Sequence, residues 1–195
     1  LFDTLLGEMR ERTRRLRRWC GSMQRWKEED LLRLLETQHA LLMESIAGLE
    51  EAIILETITH APWSMRDELV HVLAWNEFEL RIVDAWPNQQ EEEIHSWMQR
   101  DGEGEDGVNE RLAAERVEMN MIEVVDALAT VHRRTIKRLE AGGRDLLASE
   151  GNWFFGVTGP LSDFVFAMAL HQAEHSESLW KTRQMLEDNG TTGED

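Results

Sequence analysis

The chain contains seven histidines, and three of them stand where helices carry core side chains. His171 and His175 are four residues apart, so on a helix they share one face, one turn from each other. Phe164, Met168, His171, His175, Ser178 and Thr182 continue that face as a single stripe at helical spacing. A second segment repeats the pattern, with His71, Trp75, Phe78 and Ile82 recurring at steps of three and four. Three imidazoles directed into one interior are unfavourable unless something satisfies their nitrogens. Neutral imidazole nitrogen binds zinc, nickel or iron(II), and three such ligands leave a coordination position open, as catalysis rather than scaffolding requires. The bland alternative is that each histidine donates to a backbone carbonyl or carboxylate as a satisfied core residue. The paired spacing, with a third histidine on a separate inward stripe, favours the metal.

Two motif matches carry less weight. His171-Gln172-Ala173-Glu174-His175 fits the H-x-x-E-H pattern of inverted zinc peptidases. On a helix, however, Glu174 projects about 100° away from His175, and the order is not the H-E-x-x-H of zincins. The Glu-x-x-His motif of di-iron bundles occurs at Glu36/His39, Glu68/His71 and Glu92/His95. With 38 acidic residues in the chain, such matches arise by chance, and the fourth helix lacks one. His39, His60, His95 and His132 are expected to be peripheral and exposed. Among the eight tryptophans, Trp63, Trp75 and Trp153 read as large core or lid residues. Trp75, Phe78 and Trp153 are the candidate substrate contacts. Trp86 and Trp97 are expected to border the crossover, and Trp180 the mouth or an interface.

The elements that must position these groups are helices. Strand signals are nearly absent, and helical periodicity is strong in four places, so the expected class is all-α. The first helix spans about Glu28 to Gly48, with Leu31, Leu34, Leu35, Leu41 and Leu42 in register. The second begins at Ser64, with Asp67 three residues on in the manner of a capping box, and ends at Trp86-Pro87. The third spans about Asn109 to Ala141 and is stopped by Gly142-Gly143. The fourth follows Gly159-Pro160 and reaches about Met185, leaving 187–195 as a disordered tail. The aromatic connection Arg144–Gly159 is expected to lie over one end. The connection Pro87–Arg111 far exceeds the roughly 2–8 residues usual between neighbouring bundle helices, so it can cross the full length and leave helices 2 and 3 parallel.

At 195 residues the chain fits one domain with a sizeable core. Its net charge of −17 argues against nucleic acid, which demands a basic footprint. No apolar run approaches the ~18 residues of a membrane span. No apolar signal-peptide core is visible, and the lone Cys20 forms no internal disulfide, so a cytoplasmic protein is expected. Residues 1–22 are arginine-rich. Gly21-Ser22-Met23 reads either as a cloning scar, with the natural chain starting at Met23, or as the sequel to an extra N-terminal helix. The functional reading therefore concerns 23–186.

With these residues placed, the chain resembles the DinB-like (YfiT-like) superfamily of metal-dependent four-helix bundles over about 28–186. The resemblance rests on the run from Trp63-Ser64-Met65-Arg66-Asp67-Glu68 through His71 to Trp75-Asn76, and on His171-Gln172-Ala173-Glu174-His175. Val108-Asn109-Glu110-Arg111 resembles the branch holding the colibactin self-protection proteins and the DfsB group. The resemblance implies an up-down-down-up bundle with the crossover after helix 2, metal ligands His71, His171 and His175, and a homodimer. Relatives include thiol transferases using bacillithiol, mycothiol or glutathione, hydrolases, isomerases, and members that keep the fold without a proven activity. The expected function is a metal-dependent hydrolase or thiol transferase acting on a small electrophile. Asn109 and Glu110 would orient substrate or accept a proton if the crossover folds back, or else serve as ordinary helix caps. The rival is a bundle that sequesters a small molecule without catalysis.

Overall fold

The computed structural model describes residues 27–60, 63–88, 105–153 and 158–189. Within them the chain is mostly helical: α1 (Glu28–Ile46), α2 (Glu51–Glu56), α3 (Met65–Ala85), α4 (Glu105–Ala114), α5 (Met121–Ala148) and α6 (Leu161–Asp188). Two short antiparallel ribbons, β1 (Ile58–His60) with β2 (Trp63–Ser64) and β3 (Glu150–Asn152) with β4 (Thr158–Pro160), are additions the sequence did not announce. No helix among the described residues is long and apolar enough to cross a membrane.

Local chemistry explains where these helices begin. Ser64 starts α3 through a reciprocal pair: its hydroxyl accepts from the Asp67 amide at 3.1 Å, and the Asp67 carboxylate accepts from the Ser64 amide at 3.0 Å. Asn120 and Glu123 repeat this device at the start of α5, at 3.0 and 2.9 Å. That second box corrects the sequence expectation of one helix from Asn109 to Ala141, because the chain breaks between α4 and α5. Arg66 stabilises the break by donating from one guanidinium nitrogen to the carbonyls of Arg116, Val117 and Met119 at 2.8–3.0 Å. Gly143 does interrupt α5, with φ +54°, yet helical turns resume as far as Ala148. At the other terminus α6 runs on to Asp188, where Arg183 pairs with Glu187 at 2.8 Å. Glu187 and Asp188 therefore belong to the helix, not to a tail.

Side-chain contacts give the helix directions pair by pair. Trp180 donates to the Leu41 carbonyl, and Arg183 to those of Glu44 and Ala47, so α1 and α6 run parallel. Arg66 meets 116–119 and Asp84 meets Arg134, so α3 and α5 are parallel too. His71 meets His171 while Trp86 stacks near Phe164, which makes α3 and α6 antiparallel. One apolar cluster gathers Leu31, Ile82, Leu139, Leu161 and Phe164; another gathers Leu42, Leu69, Leu73, Leu128 and Leu179. Trp86 closes the first. Its indole donates to Ser149 and lies on Gly151, where an added Cβ would come within 2.7 Å of the ring.

One core residue breaks the apolar pattern. Glu79 on α3 is buried, and its Oε1 has no hydrogen-bond partner among the described residues. Burial pushes its pKa well above the ordinary carboxylate range. A carboxyl raised in the folded state leaves stability untouched below its unfolded pKa. It then lowers stability as pH rises from there to the folded value. Glu79→Met is therefore expected to stabilise the protein by about 1–3 kcal/mol at neutral pH, with a smaller gain at pH about 4. Thermal melts of both proteins across that range check it, and a gain independent of pH would contradict the cause given.

Candidate metal centre

Two helices supply the three histidines. His71 projects from α3, buried on all sides, and His171 and His175 project from one face of α6, half-buried. The His171 Nε2 lies 3.3 Å from the His71 Nε2 and 3.2 Å from the His175 Nε2. One nitrogen from each ring falls within 4.8 Å of the others, so the group can hold a metal ion. A tetrahedral ion with nitrogen bonds of about 2.0–2.1 Å separates its ligand nitrogens by about 3.3–3.4 Å. The two spacings from His171 fit that edge. The donor chemistry agrees: a ring nitrogen carries either a proton or a lone pair, so His171 Nε2 satisfies one imidazole neighbour well, whereas a cation accepts from all three.

The surroundings fix ring orientation. Glu68 is fully buried, and its Oε1 lies 2.9 Å from His175 Nδ1. Its Oε2 accepts from the Ser178 hydroxyl at 3.1 Å. A carboxylate at Nδ1 favours a proton there and leaves the Nε2 lone pair facing the other histidines. Aromatic rings wall the group: Trp63 lies 4.7 Å from the His71 ring, and Trp75 lies 5.8 Å from that of His171. The Trp75 indole in turn donates to Asn109 Oδ1 on α4 at 3.2 Å.

The sequence-derived residues are thus distributed unevenly. His71, His171 and His175 converge, with Trp75 against them and Phe78 next to Trp75 at 5.8 Å, edge to face. Trp153 is buried in the apolar cluster, packing on Phe164 at 5.7 Å. Asn109 and Glu110 lie inside α4 rather than at a helix start, so neither is a cap. Asn109 reaches the site through Trp75, and Glu110 is exposed. His39 and His132 also differ from expectation. They are half-buried and stack on each other, centroids 4.2 Å apart and planes 6° from parallel, joining α1 to α5. Burial, then the mutual charge and Arg133, lowers the His39 pKa to about 4; burial and Arg133 lower that of His132. His95, Trp97 and the His60 side chain lie outside the described residues.

Sequence reasoning missed Glu68 as a participant. It was visible as the glutamate of Glu68-x-x-His71, but its carboxylate serves His175 on the opposite helix instead of sharing an ion with His71. Its position one turn before an inward histidine was the available signal. Neither family models, curated proteins nor solved structures yield a match to this chain.

Proposed function

We propose that this protein is a metal-dependent enzyme of the DinB-like kind, a hydrolase or thiol transferase acting on a small electrophilic molecule. The observation that carries the reading is the convergence of His71, His171 and His175, with the His171 Nε2 3.3 and 3.2 Å from the other two Nε2 atoms and one nitrogen of each ring within 4.8 Å of the others. In this reading α1, α3, α5 and α6 form an up-down-down-up four-helix bundle, supported by the parallel and antiparallel pairings given above. The bundle associates as a homodimer, as the resemblance implies.

His71, His171 and His175 would hold the ion, and zinc, nickel and iron(II) all suit three imidazole donors. A bound divalent ion supplies Lewis acidity, bringing the pKa of water or a thiol toward neutrality. The chain's own residues do the rest. Glu68 holds the His175 ring and its tautomer. Trp63 and Trp75 exclude bulk water from one side of the histidines, and Asn109 fixes the Trp75 indole.

The test is turnover of a model electrophile such as chlorodinitrobenzene with a low-molecular-weight thiol, beside an ester and an amide with water alone. Activity is expected to disappear on chelation and return on adding one equivalent of metal. A protein that binds metal and electrophile but turns over none of these would favour the sequestering reading, for which the aromatic wall of Trp75 and Phe78 also speaks.

A further inference from the structure

α1 lies along α6, tied by Trp180 and Arg183, and α3 lies along α5, tied by Asp84 and Arg134. His71 meets His171 and His175 between α3 and α6. His39 on α1 and His132 on α5 meet between the other two helices, centroids 4.2 Å apart and planes 6° from parallel. Two neutral rings stack in this way, whereas two cations at that distance repel. The His39 Nδ1 is buried and has no hydrogen-bond partner among the described residues. A neutral ring can carry its proton on Nε2 and leave a lone pair at Nδ1. Protonation puts an N–H at Nδ1 with no acceptor in place, which is costly for a buried donor.

The surrounding charges oppose protonation as well. Arg133 stands beside His132 on α5 and adds its positive charge to the effect of burial on both rings. Glu36 is the only carboxylate within four residues of either histidine along the chain, and it is exposed. On the neighbouring elements, Asp84 of α3 pairs with Arg134, and on α6 Glu177 pairs with Lys181 and Glu187 with Arg183. We propose that the His39–His132 stack is an acid-sensitive joint: neutral rings close α1 on α5, and protonating them parts the two helices. Burial, then the charges of His132 and Arg133, holds His39 at about 4, against an ordinary value of 6.5. Stability is therefore fully present above 6.5. It falls as pH drops from there toward 4, because the unfolded chain takes protons that the folded one refuses. Opening here would separate the helix pair bearing His71 from the pair bearing His171 and His175. The joint itself does not depend on the metal reading.

Metal-free wild-type protein gives the first test. The imidazole C2–H resonances of His39 and His132 should keep their neutral positions well below pH 6.5. Midpoints at that ordinary value would overturn the proposal. Urea unfolding at pH about 7 and about 5 gives the second. Over that interval the wild-type unfolding constant should rise roughly tenfold more than that of a His39→Phe/His132→Phe double variant, whose rings stack without titrating. Glu79 and the three clustered histidines are common to both proteins, so the difference isolates the pair. Parting is read from spin labels at exposed Thr37 and Lys137 in a Cys20→Ser background. Their separation should lengthen on acidification in the wild type and stay fixed in the double variant. Equal acid dependence of the two proteins, or a label distance that holds while the rings titrate, also overturns the joint. The resonances and the wild-type labels decide the matter even where the double variant does not fold.

Discussion

Replacing His171 with alanine is expected to remove the bound metal altogether while the helices remain. Untagged wild-type protein should carry close to one divalent ion per chain by elemental analysis, and His171→Ala should carry background only. The size of this effect follows from position. The His171 Nε2 stands between the other two, 3.3 Å from His71 and 3.2 Å from His175, so its removal leaves two nitrogens without their shared neighbour. Two imidazoles alone hold zinc far more weakly than three at tetrahedral spacing. His171 is half-buried, its ring packs against Trp75 at 5.8 Å, and alanine is the strongest helix former. Helix content by circular dichroism should therefore change little. A second readout excludes a trivial cause: chelator should lower the melting temperature of the wild type and leave that of His171→Ala unchanged, since only a folded-state ligand stabilises by mass action. Stoichiometric metal retained in the variant would end the assignment.

The legible parts of this fold were those governed by local rules. Leu31, Leu35 and Leu42 gave the buried face of α1, and Ser64 with Asp67 gave the start of α3, because helical period and capping act over a few residues. The three histidines were legible for the same reason: each sat on a helical-period stripe with core residues, Trp75, Phe78 and Ile82 for His71 and Phe164 and Met168 for the pair. What escaped was tertiary. The break between α4 and α5 depends on Arg66, some fifty residues earlier, which meets the freed carbonyls of Arg116, Val117 and Met119. The box at Asn120 and Glu123 is written in the sequence but lies inside a helical period that continues across it. His39, which shares a turn with Glu36, and His132 on the third predicted helix read as exposed, because neither lies on an inward stripe with the other candidates. Their mutual stacking across α1 and α5 is a contact between segments that no single stretch displays.

A burial argument links these misses to the site. α3 is buried around most of its circumference, so it hosts two carboxyls, Glu68 and Glu79, that periodicity alone would place on a surface. They share a helix and a chemistry but not a fate. Glu79 meets no hydrogen-bond partner at Oε1, and burial holds it toward its neutral form. Glu68 meets a hydroxyl from Ser178 and a ring nitrogen from His175, the two groups α6 turns toward it. Partners distinguish a buried carboxyl that destabilises the fold from one that organises a site.

That difference sets the second large expectation. Glu68→Gln should lower metal affinity about 10–100-fold, the usual loss when a ligand histidine's outer partner is changed. Glutamine keeps the shape and can still accept from His175 Nδ1 through its amide oxygen, so the backbone should hold and the helices persist. What it removes is the negative charge that favours a proton on Nδ1 and makes Nε2 a better donor. Competition between the protein and a chelating dye of known affinity reads this directly, with apo and loaded melting temperatures measured in parallel. If Glu68 only fills space, the apo protein will melt earlier while its metal affinity stays within about twofold of the wild type. If the carboxylate orients and strengthens His175, affinity falls and most of the metal-dependent rise in melting temperature is lost with it. The two outcomes separate a core residue from a positioning residue without any assay of turnover.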